Sequence, residues 1–530
     1  MTDDRRGGEG ARAVVIGAGI AGLATAALLA REGYRVTVVE QRAEVGGRAG
    51  SWECDGFRFD TGPSWYLMPE VFDHFFRLLG TTAREQLDLL LLDPGYRVFF
   101  EGDAEPLDIA ADLATNLATF ERIEPGGGAA LARYLRSARE TYRMAVSRFL
   151  YSTFASFRPL LTGDVLARAP RLARLLLQSL DGFIRRYVTD RRLQQVLGYP
   201  AVFLGTSPYA APSMYHLMSV LDLEDGVLYP RGGFAALIAC VERLARAEGV
   251  EIVTGVRATG IASAVLTVGD DRPRVVGVDV ADAGRPRRLP AEIVISAADL
   301  HHTETVLLPP EHRSYPQQWW DDRTSGPGAV LVFLGVSGDL PELAHHSLFF
   351  TADWRGDFGR IFGSPPSVPE PASLYVCRPS ATDGAVAPPG AQNLFILVPV
   401  PADPEIGSGG LDGDGSPQVE AIADAAIDQV AVWAGIPGLR ERIVVRRTVG
   451  PADFERDLNA WMGGALGPAH TLRQSAFFRG RNASSRVAGL YYAGGSTVPG
   501  IGLPMCLISA ELVVKRLRGD TSTGPLAEPL

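Results

Sequence analysis

Three glycines near the start of the chain carry the first chemical signal. Gly17, Gly19 and Gly22 form a G-x-G-x-x-G pattern, and Glu40 lies 23 residues after Gly17. In this spacing Gly17 permits a tight turn, Gly19 lets the backbone approach a pyrophosphate, and Gly22 lets a helix pack closely on a strand. The N–H groups opening that helix offer hydrogen bonds and a positive dipole end to the phosphates. Glu40 would accept hydrogen bonds from an adenosine ribose. Gly46-Gly47-Arg48 follows shortly after Glu40. A nicotinamide site does not require this second glycine pair. It suits a longer dinucleotide whose pyrophosphate and ribityl chain run past the first turn, with Arg48 countering charge. Phe59-Asp60-Thr61-Gly62-Pro63 reads as a tight turn facing the same ligand. At the far end, Gly494-Gly495-Ser-Thr-Val-Pro-Gly-Ile-Gly502-Leu503-Pro504 joins a strand to a helix. A helix beginning near Pro504 would aim its dipole at an electron-accepting ring and stabilise negative charge on reduction.

These residues need elements to hold them. Ala13–Ile16 reads as a buried strand, Gly17–Gly22 as a turn, Leu23–Arg31 as a helix stopped at Gly33, and Arg35–Glu40 as a second strand. That is a βαβ opening. The uncharged run Ala13–Ala30 is long enough to suggest a membrane span, but its three glycines fit strand, turn and helix better. Phe234–Glu248 reads as a helix, with strands at Val250–Val253, Val275–Val280 and Ile293–Ser296. Further strands are expected at Ala329–Leu334, Leu394–Val398 and Gly489–Ala493, and a helix at Pro504–Leu517. Pro/Gly/Asp-rich loops at Gly363–Pro371 and Pro401–Pro417 read as mobile excursions, and Thr521–Leu530 as a frayed tail. The expected fold is α/β: a Rossmann-like dinucleotide-binding domain built from residues 11–110, 229–300 and 480–518. A mixed α+β substrate domain from 111–228 and 301–479 and a tail at 519–530 complete it.

Composition narrows the chemistry. With 530 residues, 46% hydrophobic and 21% charged, the chain has apolar material for a large core. The four cysteines are widely spaced without a C-x-x-C pair, which speaks against a disulfide scaffold or a thiolate zinc site and fits a reducing cytoplasm. A net charge of −10 argues against nucleic acid as a partner. His301/His302 and His345/His346 are adjacent pairs whose side chains would diverge, not the i,i+4 face of a metal site, so no metal is expected. G-x-S-x-G is absent. Between Leu131 and Pro200, 13 arginines stand against four acids. Arg and apolar residues alternate there at helical spacing, either as a solvated face or as a basic amphipathic surface for anionic headgroups.

Beyond the nucleotide motifs the chain resembles the flavoprotein carotenoid desaturases, specifically the bacterial-type phytoene desaturases. The resemblance runs through Tyr229-Pro-Arg-Gly-Gly233, Leu343-Ala-His-His346, Val398-Pro-Val-Pro401, Asp453-Phe454, Leu458-Asn-Ala460, Arg473–Arg479 and Gly494–Pro504. It implies FAD, held by Gly17, Gly19, Gly22, Glu40, Gly47, Arg48, Gly494, Gly495, Gly502, Leu503 and Pro504. It also implies a desaturase introducing C=C bonds into a linear carotenoid precursor, phytoene towards lycopene. The flavin would take a hydride from an allylic carbon while a proton leaves the neighbouring carbon, in a dry apolar tunnel. Such a hydrocarbon resides in the bilayer, so the expected location is cytoplasmic with peripheral membrane association, and oxygen and a quinone both stand open as electron acceptor. The chain departs from the family at Val498, where a polar residue or His is usual, and at Ala297 in Ser296-Ala-Ala-Asp299. The family's polar Asp/Arg pair appears only as Asp164 with Ala167 and Arg168; Asp164 is the candidate for assisting proton departure, with a helix N-cap as its other reading. A redox-neutral carotenoid isomerase and a prenyl-lipid carrier of the same fold are the alternatives; the intact nucleotide motifs speak against the carrier.

Overall fold

The computed structural model describes residues 10–155, 163, 167–265 and 272–530. The core of the first layer is a five-stranded parallel sheet ordered Leu490–Tyr492, Ile293–Ser296, Arg12–Ile16, Arg35–Val39 and Glu251–Val253. The central strand Arg12–Ile16 is buried from Ala13 onward, as a strand covered on both faces must be, and this is why it reads as an unbroken apolar run. The helix Ile20–Arg31 is buried at every position from Ile20 to Leu29. It packs among the helices Gly233–Ala247 and Leu503–Arg518 in one apolar cluster. Three segments far apart in sequence thus close one sheet, with the two strand-to-helix turns rich in glycine on the same side of it.

The second layer is a seven-stranded mixed sheet ordered Ile443–Val449, Gly328–Ser337, Ala391–Val400, Leu374–Cys377, His346–Phe350, Tyr96–Phe100 and Leu107–Ile109. The helix Pro417–Trp433 covers one part of it. The helices Gly127–Ala145, Ala169–Leu177, Leu180–Ile184 and Arg191–Gly198 form the Arg-rich region, whose inner faces pack with Tyr96, Val98 and Phe350.

Several expectations are corrected here. The first piece of the nucleotide domain does not keep its residues up to 110, because Tyr96–Phe100 pairs in parallel with His346–Phe350 in the second sheet. Arg274–Asp282 is a strand, but of a separate three-stranded antiparallel sheet with Val256–Ala264 and Arg285–Pro290. The loop Pro401–Pro417 is tied down: the Gly409 N–H donates to Asp453 Oδ2 at 2.6 Å and the Thr448 N–H to the Gly410 carbonyl at 2.8 Å. The tail is docked. Lys515 Nζ, buried in the last helix, donates to the carbonyls of Tyr151, Ser522 and Gly524 at 2.9, 2.8 and 2.7 Å. A buried ammonium needs such partners, and short-range sequence pattern cannot reveal them.

Candidate functional site

The amino-terminal cradle is two glycine loops laid on one another. Gly17 has φ +96° and donates its N–H to the Val39 carbonyl at 2.8 Å. Gly46 donates to the Ala18 carbonyl at 2.9 Å, so the second loop adds an edge to the first. A Cβ on Gly47 would lie 3.3 Å from Gly19 Cα, and one on Gly22 would lie 1.9 Å from the Gly17 carbonyl oxygen. Gly19 differs: a Cβ there would meet nothing nearer than 3.9 Å. Its neighbourhood is open space at the start of the helix Ile20–Arg31, where unpaired N–H groups gather. Glu40 is buried at the end of its strand. Its Oε2 accepts the Ala18 N–H at 2.8 Å and its Oε1 the Arg42 N–H at 2.9 Å. Arg48 donates from Nε to the Ala465 carbonyl at 2.9 Å, which ties it to a segment far along the chain.

Asp60 has a role other than facing the ligand. Its carboxylate accepts the N–H groups of Phe234 and Ala235 at 2.8 and 3.0 Å, capping the helix Gly233–Ala247. A Cβ on Gly233 would lie 2.4 Å from Asp60 Oδ2, which explains the glycine pair in Tyr229–Gly233. Burial pushes the Asp60 carboxyl up to about 6. Its neighbours Thr61, Gly62 and Pro63 do line the cavity. Gly62 packs on Arg48, whose carbonyl oxygen would lie 2.1 Å from a Cβ there.

The carboxy-terminal turn is held by three buried side chains that sequence reasoning missed. Arg479 donates to the carbonyls of Gly495, Thr497 (3.1 Å) and Pro468 (3.2 Å). Burial, opposed in part by Tyr215, brings its guanidinium down to about 10. Asn482 Nδ2 donates to the carbonyls of Val498 at 3.0 Å and Tyr492 at 3.3 Å. His470 Nε2 accepts the Ile501 N–H at 3.3 Å while its Nδ1 lies 2.9 Å from the Tyr215 hydroxyl, which in turn donates to Ser475 Oγ at 3.0 Å. With Nε2 accepting, Nδ1 carries the proton, and burial keeps this ring neutral. Gly500 sits so close that a Cβ would lie 2.2 Å from the His470 ring. The signal for Arg479 was in the Arg473–Arg479 run. For His470 and Asn482 there was none, because each acts across a loop.

Both turns open into one cavity of about 1000 Å³. Gly17, Gly19, Glu40, Gly47 and Arg48 line it at one turn; Gly494, Gly495, Gly502, Leu503 and Pro504 line it at the other. Gly22 is not in its wall and serves packing. Beyond the turns the wall is apolar and aromatic, with Phe149, Phe203, Leu331 and Trp354 among it. The size is at the top of the range for small-molecule sites. Asp164 lies outside the described residues.

The model of the flavin-containing amine oxidoreductases matches residues 20–518. The chain belongs to that family. Among curated relatives, a carotenoid 3,4-desaturase of Haloarcula japonica is 40% identical over 512 residues, covering 97% of this chain and 99% of that one. A zeta-carotene-forming phytoene desaturase of Myxococcus xanthus is 36% identical over 510 residues, covering 96% and 94%. The resemblance drawn from sequence is therefore borne out. Solved structures share the fold: an oxidoreductase from Methanosarcina mazei has a TM-score of 0.58 at 17% identity, covering 95% of this chain and all of that one. A redesigned putrescine oxidase has a TM-score of 0.58 at 14% identity, covering 96% and 99%. This flavoenzyme is an FAD-dependent oxidoreductase. Its residues fit the cofactor: the open space at Gly19, the clustered N–H groups and the Glu40 carboxylate supply the donors, room and acceptor that an adenine dinucleotide needs.

Two further placements qualify the sequence reading. His345 and His346 do not diverge: their ring centroids are 4.6 Å apart. In the Arg-rich region, Arg139, Arg171, Arg185 and Arg192 pair with Glu224, Glu140, Asp181 and Asp190. Of the four acids Glu140 is exposed and the other three are half-buried, and pairs this close to solvent contribute little to stability.

Proposed function

We propose that this flavoenzyme is a desaturase of a linear carotenoid precursor, acting on phytoene towards lycopene. The observation that carries the reading is the continuity of the glycine cradle with a long apolar chamber, which leaves a flat polyene room beside the cofactor. The two named relatives are a carotenoid 3,4-desaturase and a zeta-carotene-forming phytoene desaturase. FAD, when bound, supplies the acceptor for a hydride leaving an allylic carbon. The chain's part is to align and to exclude water. Gly17–Gly22 and Glu40 hold the adenosine and pyrophosphate end. Gly494–Pro504, pinned by Arg479, Asn482 and His470, presents the start of the helix Leu503–Arg518 at the ring end, where its dipole favours negative charge. Trp354, Phe203 and Leu331 make the chamber dry. Asp164 is the proposed group for assisting the departing proton, with oxygen or a quinone as terminal acceptor.

The chamber's rim favours a lipid surface as the source of substrate. Leu176, Leu472 and Phe478 line the cavity and are exposed, and Leu177 beside them is 78% exposed. Apolar side chains grouped at a mouth next to arginines are the composition of an interfacial anchor. Among the described residues no helix is long and apolar enough to cross a membrane, so the proposed association is peripheral. The test is incubation of FAD-loaded protein with phytoene in anionic and neutral liposomes, with oxygen or a quinone supplied separately. Growth of longer-wavelength polyene absorbance is expected, faster on anionic vesicles and slowed by salt. A change in isomer composition without added double bonds would instead identify an isomerase.

A further inference from the structure

Outside the cofactor chamber, one buried cluster combines ligating side chains with unmet polar valence. His346 and Cys377 are directly opposed on neighbouring antiparallel strands, so their side chains share one face of the sheet. His345 immediately precedes the strand. One ligating atom from each of the three residues lies within 4.8 Å of the others. All three residues are buried, at 4%, 0% and 2% exposure.

The hydrogen bonds of the two rings follow a single pattern. His345 Nδ1 is 2.8 Å from Thr382 Oγ1, and His346 Nδ1 is 2.7 Å from the Tyr375 hydroxyl. The Nε2 of each ring is buried without a hydrogen-bond partner. With Nδ1–H donating to the hydroxyls, both Nε2 atoms present lone pairs to the interior. An imidazole whose far nitrogen is oriented by an oxygen partner is the usual arrangement of a metal-bound histidine. Left as they stand, two ring nitrogens this deep without a partner are costly. Beside Cys377 lies a cavity of about 10 Å³, lined also by Ser64, Asp60 and Tyr229, and the Tyr229 hydroxyl is another buried group without a partner. That volume is about one water. The Tyr229 ring lies 4.6 Å from that of His345, though of the three ligating residues only Cys377 lines this cavity.

We propose that His345, His346 and Cys377 bind one zinc ion, with a water as its fourth ligand. Two imidazole nitrogens and a thiolate are a set zinc accepts, and three protein ligands with a water complete a tetrahedron. Bonds of about 2.0–2.1 Å to nitrogen and 2.3 Å to sulfur place the ligating atoms roughly 3.3–3.6 Å apart, so the cluster needs to close by about an ångström. Burial keeps both rings neutral and raises the thiol to about 12 without an ion; binding releases the thiol proton to solvent. The ion would pin together the strands His346–Phe350 and Leu374–Cys377. It would also fix Tyr375, which lines the substrate chamber and shares a hydrogen bond with Ser64 Oγ at 2.7 Å.

The test is elemental analysis of the purified full-length flavoprotein, which needs no activity. About one zinc per chain is expected, removable by a strong chelator under mild denaturant and restored on refolding. Cobalt in its place should give a sulfur-to-metal charge-transfer band, read after the flavin is bleached by reduction, and Cys377→Ser should abolish that band. Thr382→Val, which removes only the orienting hydroxyl, should weaken zinc binding roughly ten- to a hundredfold. If the variants do not fold, the wild-type protein decides. Less than a tenth of an ion per chain, both as purified and after refolding with zinc, overturns the proposal. Stoichiometric copper without zinc, or a cobalt band unchanged in Cys377→Ser, also overturns it.

Discussion

The glycines at 19 and 22 belong to one motif but should fail in different ways when given a side chain. At Gly22 an added Cβ lies 1.9 Å from the Gly17 carbonyl oxygen and 3.2 Å from Ala297 Cβ. The obstacle is backbone, which cannot rotate aside, so Gly22→Ala must push the first helix off its strand. Overpacking of this kind costs about 1–3 kcal/mol, and a carbonyl as the obstacle places it at the upper end. At Gly19 the backbone is ordinary, φ −70° and ψ 172°, and the nearest atom is 3.9 Å away. Gly19 is the N-cap of the helix, a position where Val is less favoured than Gly, so Gly19→Val should cost the fold about 1 kcal/mol, less than Gly22→Ala. Its side chain would occupy the open space where the pyrophosphate approaches. Losing even one charge-assisted hydrogen bond there costs about 1.5–3 kcal/mol, or roughly ten- to a hundredfold in FAD affinity. The assay pairs thermal unfolding of flavin-free protein with FAD titration followed by flavin fluorescence. Gly22→Ala should lower the midpoint more than Gly19→Val does, and Gly19→Val should lose the yellow colour. A Gly19→Val protein that binds FAD with wild-type affinity would refute the placement of the pyrophosphate.

The other expectations concern the second turn and a buried histidine outside the cavity wall. Gly502, at φ +116° and ψ 152°, holds a backbone conformation that L residues rarely adopt, so Gly502→Leu strains the turn as well as projecting into the chamber and should abolish turnover on phytoene, with a lower melting midpoint, while FAD stays bound; normal turnover would remove this turn from the reaction site. Arg479→Met strips the buried donors from Gly495, Thr497 and Pro468 and should destabilise the flavoprotein by about 3 kcal/mol, the cost of carbonyls left without donors, seen as a lower melting midpoint with weaker flavin retention. His216, brought down to about 4 by burial, is neutral when folded and protonates more readily when unfolded. Its contribution is complete above pH 6.5 and is lost as pH falls towards 4, at up to about 1.4 kcal/mol per pH unit. His216→Gln should accordingly flatten the stability curve between pH 6.5 and 4, and an unchanged slope in denaturant titrations would contradict its buried neutral state.

What could be read in the chain were the features that local chemistry makes compulsory. A βαβ turn that cradles phosphate needs glycine at fixed offsets, and a buried parallel strand needs unbroken apolar residues. The opening at Arg12–Val39 and the helices at Gly233–Ala247 and Leu503–Arg518 were therefore visible as patterns. Pairing between distant segments was not visible, because a strand's sequence does not name its neighbour. Tyr96–Phe100 went to the second sheet for that reason, and Arg274–Asp282 to a third. The same holds for polar side chains that act at a distance. Asp60 caps a helix 174 residues away, and Arg479 and Asn482 stitch a turn they do not adjoin. The two histidines at 345 and 346 show the limit most directly. Alternation along a strand sends neighbours to opposite faces, yet His345 sits before the strand begins, so both rings turn inward beside Cys377. Only the tertiary structure decided that, since it depends on where one strand starts and on which residue the neighbouring strand places opposite.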